Sequence, residues 1–189
     1  MRNFYFKIGT IARRIKNQRL KPVAILIKGK LKMPSNLISI GGATAGIASA
    51  LFIFQDHRLF TIFLLSALAM DIMDGAVARL ESKKEKGWMM DGICDRIVTA
   101  SLLVAFLYKH SFDPRYVALF LVYLAINAYV LQIRRLTKGR RIVNLEAVAY
   151  ILFIFKNFEA GVLVIVVSTA IGLINAVYLK KTFSEEERK

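Results

Sequence analysis

Cysteine is almost absent: Cys94 stands alone in 189 residues. That excludes an intrachain disulfide framework and a cysteine-rich zinc site. It leaves Cys94 to be read as a small packed side chain. Histidine is nearly as scarce. His57 and His110 fall in short predicted loops far from the acidic residues, and both read as loop residues, not ligands. Acid is in short supply overall, with 13 Asp+Glu against 28 Lys+Arg and a net charge of +15. The early residues lack a long uncharged apolar stretch, so a cleaved signal peptide is not expected. There is no convincing internal repeat and no low-complexity linker. The simplest organisation is a basic juxtamembrane segment over 1–32 followed by one catalytic domain over 33–189.

What the chain has in excess is apolar residues, 56% of the total. They lie in blocks, and blocks of about 20 apolar residues are bilayer spans. The positive charge lies between those blocks. Anionic lipid and topology therefore explain it better than nucleic acid does. Phe4, Ile8, Ile11 and Ile15 recur at helical spacing among Arg13, Arg14 and Lys16. That pattern predicts a basic amphipathic helix on the membrane surface, with Pro22 ending it or starting the next.

Six apolar segments follow, over 36–54, 59–79, 88–108, 116–133, 142–155 and 158–179. The fifth is short and is expected to tilt little or re-enter. Gly42-x3-Gly46 in the first is a close-packing motif, read as packing within the chain more than dimerisation. The connections set the orientation. Residues 1–32, 79–87, 134–141 and 180–189 hold 10, 4, 5 and 4 Lys/Arg, whereas the opposite side holds only Arg58, Lys109, Arg115 and Lys156. The positive-inside rule then gives an all-α integral membrane protein. It would have six transmembrane helices, an N-terminal interfacial helix, both termini cytoplasmic, and a site facing the cytoplasm.

Acid is sparse, yet four aspartates, Asp71, Asp74, Asp91 and Asp95, sit in or beside two apolar segments. A carboxylate in hydrocarbon is expensive, so such a cluster reads first as a functional site. On a helix, Asp71, Asp74, Gly75 and Ala78 fall within an arc of roughly 100°, with Arg79 beside it. Gly87, Asp91 and Asp95 step by four on the next helix. A short loop makes the two helices antiparallel neighbours, so four carboxylates can converge. They cannot all stay ionised without cations. Oxygen ligands without His or Cys suit Mg²⁺ or Mn²⁺, whose shells are commonly completed by phosphate oxygens. Two metals would polarise a diphosphate, Arg79 offers a phosphate fork, and a carboxylate left partly free would serve as a base. Interhelical polar glue and a carboxylate-lined cation transporter are the alternatives. The crowding of acids on two helices at one membrane face disfavours the transporter.

The pattern Asp71-x2-Asp74-Gly75-x2-Ala78-Arg79-x7-Gly87-x3-Asp91-x3-Asp95 resembles the signature of the CDP-alcohol phosphatidyltransferases at all eight fixed positions. The resemblance implies attack by an alcohol hydroxyl on the lipid-side phosphate of a CDP-linked lipid, with release of CMP. It implies Asp71, Asp74, Asp91 and Asp95 as residues for two Mg²⁺ or Mn²⁺ ions, with Asp95 as the catalytic base. Gly75, Ala78, Arg79 and Gly87 resemble the residues around the CDP moiety. Asn36 is a further candidate there, although Ser35 stands where the family often has proline. A homodimer in the cell membrane is also implied.

The acceptor is the open question. Arg134, Arg135, Arg140 and Arg141, with Lys138, form a basic stretch suited to an alcohol that is itself phosphorylated. The same stretch is also what a solvated inside-positive loop would carry. Asn144 and Glu146 offer polyol hydrogen bonds, unless Glu146 pairs with Arg140 or Arg141. The Gly-Lys-x-Lys-Thr pattern associated with phosphatidylglycerophosphate synthases is missing. Inositol phosphate is therefore the favoured acceptor over glycerol 3-phosphate or serine. Nothing in the chain reads the lipid tails, diacyl or diether.

Overall fold

A computed structural model describes residues 20–30, 32–80, 84–137 and 145–186; of 84–88, 91, 185 and 186 only the backbone is described. Among these residues the chain is entirely helical. Residues 20–30 form α1, followed by α2 (Ser35–Phe52), α3 (His57–Ala78), α4 (Lys84–Lys109), α5 (Pro114–Leu136), α6 (Glu146–Ile154) and α7 (Phe158–Glu186). The amphipathic stripe from Phe4 to Ile15 lies outside the described residues. Pro22 does not break α1, which runs through it to residue 30.

The helix starts follow from local chemistry. Asp56 caps α3, its carboxylate accepting from the backbone N–H of Arg58 and Leu59, which satisfies donors that a first turn leaves orphaned. Asp113 caps α5 in the same way, with Pro114 at the first helical position. The Arg115 side chain also bonds Asp113, and these bonds hold the Asp113 carboxyl down at about 2. That cap is therefore intact above the ordinary carboxylate range and is lost only as pH falls toward 2. His57 turns out to be the first residue of α3 and packs on Phe60, while His110 lies in the turn after α4 against Phe106 and Tyr116. α7 continues past the expected end at 179, so that the charged Lys180–Glu186 stretch extends the last helix.

Among the described residues four helices are long and apolar enough to cross a membrane: Ser35–Phe52, His57–Ala78, Pro114–Leu136 and Phe158–Ser184. α4 has the length, but Asp91, Asp95, Arg96 and its basic first turns make it more charged than those four. α6 has nine residues, or about 14 Å of helix, less than half of a hydrocarbon core of roughly 30 Å.

The largest core joins α3, α4, α6 and α7 around the fully buried Phe60, Leu64, Leu102, Phe153 and Ile165. A second cluster seats Ala24 and Ile27 of α1 on Ile38 of α2 and on Ala76 and Val77 of α3. Lys28 Nζ donates to the Leu80 carbonyl just beyond the end of α3. Many large apolar side chains point outward instead, among them Leu51, Ile62, Leu121, Leu163 and Ile174. Such a surface suits hydrocarbon, and helices satisfy their own backbone polar groups there.

One arrangement differs from the expected antiparallel pair. α3 and α4 barely touch, because α2 lies against both. Small residues make this possible. Gly42 faces Met70 and the Ala67 carbonyl of α3, and Gly46 faces Val98 of α4. The Gly42-x3-Gly46 motif thus serves packing within the chain. A Cβ at position 46 would run into the branched Val98 side chain. Gly46→Val should therefore destabilise the bundle by about 1–3 kcal/mol, read as a lower thermal midpoint in detergent. An unchanged midpoint would show that α2 and α4 do not depend on this contact.

Candidate active site

The wedge of α2 leaves a space between the polar ends of α3 and α4. It is a cavity of about 230 Å³. Its lining includes Asp71 and Asp74 from α3, Asp95 from α4, Ser39 from α2, and Glu146 and Tyr150 from α6. Three of the four aspartates singled out by spacing thus open into one cavity. The fourth, Asp91, lies one turn before Asp95 on the backbone of α4, and its side chain is outside the described residues.

The carboxylates differ in setting. Asp71 is exposed, Asp95 half-buried and Asp74 only 4% exposed. A buried carboxylate needs donors, and the Ser39 hydroxyl donates to Asp74 Oδ2 at 2.5 Å. Ser39 thus fixes the position of the Asp74 carboxyl at the cavity wall. Asp95 is carried by a turn whose carbonyl accepts from the Thr99 hydroxyl at 3.2 Å. Glu146, 4% exposed, bonds Arg96 Nη1 at 2.9 Å; the other partners considered for it, Arg140 and Arg141, lie outside the described residues.

The other singled-out residues fall into three groups. Gly75, Ala78 and Arg79 lie at the end of α3, with Arg79 exposed and its guanidinium folded back over Gly75. The backbone of Gly87 is in α4. Asn36 is exposed in the first turn of α2 and is not among the cavity residues. Arg134 and Arg135 occupy the last turn of α5. Arg134 reaches across to α4, where a Cβ on Gly92 would lie 2.7 Å from its Nη1. Arg135 is exposed, and Arg140 and Arg141 are outside the described residues. Cys94 is buried and forms part of the cavity wall.

Sequence reasoning missed Ser39, Gly92 and the place of Glu146 and Tyr150. Ser39 had a weak signal, a hydroxyl one turn after Ser35 on an apolar helix. Gly92 had none that separates it from other glycines of the chain.

The donor set is one that fits a hard divalent cation. Aspartate oxygens from two helices line a single cavity, with no imidazole among its residues and a single cysteine, Cys94, in its wall. Among the described residues no three such groups already stand at metal-ligating spacing. What the cavity holds together is the acid-bearing stretches of two helices.

A comparison with curated proteins finds no match. A comparison with protein-family models finds one for CDP-alcohol phosphatidyltransferase over residues 32–178, which takes in α2 to α6 and most of α7. That stretch is well over half of the chain and contains every residue of the acidic cavity, and the chain belongs to the CDP-alcohol phosphatidyltransferase family.

Proposed function

We propose that this protein transfers a phosphatidyl-type group, diacyl or diether, from a CDP-linked lipid to a phosphorylated polyol, with inositol phosphate as the preferred acceptor. Family membership carries the general reaction, transfer of a phosphatidyl group from a CDP-alcohol to an acceptor, and makes this a multi-pass membrane enzyme. It also sets aside the cation-transporter reading. The observation that supports the particular site is the opening of Asp71, Asp74 and Asp95 into one cavity.

In this reading Asp71, Asp74 and Asp91 hold Mg²⁺ or Mn²⁺, generally required in the family, with Asp95 at the edge of the metal site. When bound, the metal would supply positive charge to polarise the diphosphate. Arg79 holds a phosphate oxygen, Gly75 and Gly87 let the nucleotide approach the backbone, Ala78 leaves it room, and Asn36 is a candidate contact at its edge. Asp95 takes the proton of the acceptor hydroxyl. The acceptor oxygen then bonds to the lipid-side phosphorus as the bond between that phosphorus and the bridging oxygen breaks. CMP leaves with the bridging oxygen.

The arginines at the end of α5 support a phosphorylated acceptor. Arg134 lies against α4 at Gly92, three residues from Asp95, close enough to bring an acceptor phosphate beside the base. Arg135 is exposed beside it, and Arg140 and Arg141 follow close by in the sequence. The distribution of Lys and Arg supports six membrane crossings, with the basic connections and both ends in the cytoplasm. α4 and the fifth apolar segment, 142–155, would then complete the set begun by the four long apolar helices. We further propose a homodimer in the cell membrane.

Purified protein given CDP-lipid, Mg²⁺ or Mn²⁺ and inositol phosphate should release CMP. Asp95→Asn should abolish that turnover while binding of CDP-lipid persists. Near-normal turnover by Asp95→Asn would remove Asp95 from the role of base. Release with glycerol 3-phosphate or serine, but none with inositol phosphate, would overturn the acceptor.

Arg134 gives a sharper test. Removing a charged hydrogen bond to phosphate should raise the acceptor KM roughly ten- to a hundred-fold in Arg134→Gln. Gly92→Ala should act in the same direction at little cost in stability, because its Cβ would press mainly on the movable end of Arg134, with Leu131 Cδ2 at an ordinary 3.4 Å. Unchanged acceptor KM in both variants would exclude Arg134 from acceptor binding.

A further inference from the structure

The cavity contains a fourth described carboxylate that the reaction above leaves unused. Glu146 opens the short helix α6 and bonds Arg96, the residue next to Asp95 on α4. Three residues along α4, the Thr99 hydroxyl meets the Tyr150 hydroxyl at 2.6 Å. Thr99 and Tyr150 are both buried, and Thr99 also contacts the Asp95 carbonyl. The partners are spaced i, i+3 on α4 and i, i+4 on α6, so the two helices are joined at two points one turn apart. α6 is itself held at its start, where the Leu145 N–H donates to Ser168 Oγ of α7 at 2.8 Å.

We propose that the Arg96–Glu146 pair, with Thr99–Tyr150, is a clamp that sets the rotation of α4 and so aims the Asp95 carboxylate. Glu146 and Arg96 are positioning residues. The inference rests on the reading of Asp95 as the base. Two contacts one turn apart resist rotation of α4 about its axis, which a single contact does not. A carboxylate lies about 5–6 Å from the axis, so a 20° rotation moves it roughly 2 Å. An error of about 1 Å at a reacting group can cost a hundredfold in rate. Stability alone would not call for the pair, since apolar residues often hold such a position as well or better. The rest of α6 is apolar apart from Tyr150. The pairing also keeps the Glu146 charge offset by Arg96, so that it does not add to the negative charge that the aspartates put into the cavity.

The test is a double-mutant cycle of Arg96→Met, Glu146→Leu and the pair together, read as kcat, KM for CDP-lipid and thermal midpoint. Each single change should lower kcat at least tenfold with KM within twofold. Each should also lower the midpoint, because a buried charge loses its ion-pair partner. The double variant should recover the midpoint but not kcat. A double variant with wild-type midpoint and wild-type kcat would overturn the clamp. So would a rise in KM at constant kcat, which would make Glu146 a ligand contact. If the double variant does not fold, Arg96→Lys and Tyr150→Phe decide. Arg96→Lys should keep at least a third of kcat, and Tyr150→Phe should lose three- to tenfold in kcat alone. The reverse order would overturn the proposal. Asp95→Asn run alongside separates the two failures. An active Asp95→Asn defeats the base assignment, whereas an inactive one beside fully active clamp variants defeats only the clamp.

Discussion

Everything in this molecule answers to the cost of carboxylates within a mostly apolar helical bundle. An ion moved into low dielectric loses several kcal/mol unless it finds partners (about that much per ion even after relaxation). The chain meets the cost by concentration. Four of its carboxylates, Asp71, Asp74, Asp95 and Glu146, line one cavity, and the cost is met by Ser39 for Asp74, Arg96 for Glu146 and the opening of the cavity for Asp71. A divalent cation is the natural complement of what remains.

The packing of the bundle follows from keeping that cavity open. If α3 and α4 packed directly on one another, their acids would be pressed together. Instead α2, with its glycines and alanines, fits against both and separates them. α6 is too short to serve as an ordinary span, and its position explains why. It brings Glu146 and Tyr150 to the cavity and packs Ala149 and Phe153 into the main core. Apolar burial thus positions the element whose polar face touches α4.

Much of this was legible in the residues. The signature from Asp71 to Asp95 identifies the family because its spacing places acids on two helix faces. Apolar blocks located all four long spans to within a few residues. Periodicity describes one helix at a time, however, and so it could not see that α2 stands between α3 and α4. It could not show that Glu146 meets Arg96, fifty residues away on another helix. Nor could it show that Gly92 is where Arg134 crosses to α4, because the partner lies on another helix. The helical extension to Glu186 was hidden because charge reads as the end of a span, although it is not the end of a helix. The acceptor has the weakest signature, since a basic stretch serves a phosphate and a membrane surface with the same side chains.

The central claim is that carboxylates from α3 and α4 build one divalent-metal site. Its most direct test is Mn²⁺ binding by the purified protein in the presence of CDP, followed by electron paramagnetic resonance in wild type, Asp74→Asn and Asp91→Asn. The account predicts saturable binding in wild type that weakens at least about tenfold in either variant, because each removes one charged oxygen ligand. Undiminished binding in either variant would contradict it, since a site shared by two helices cannot be indifferent to the loss of one side.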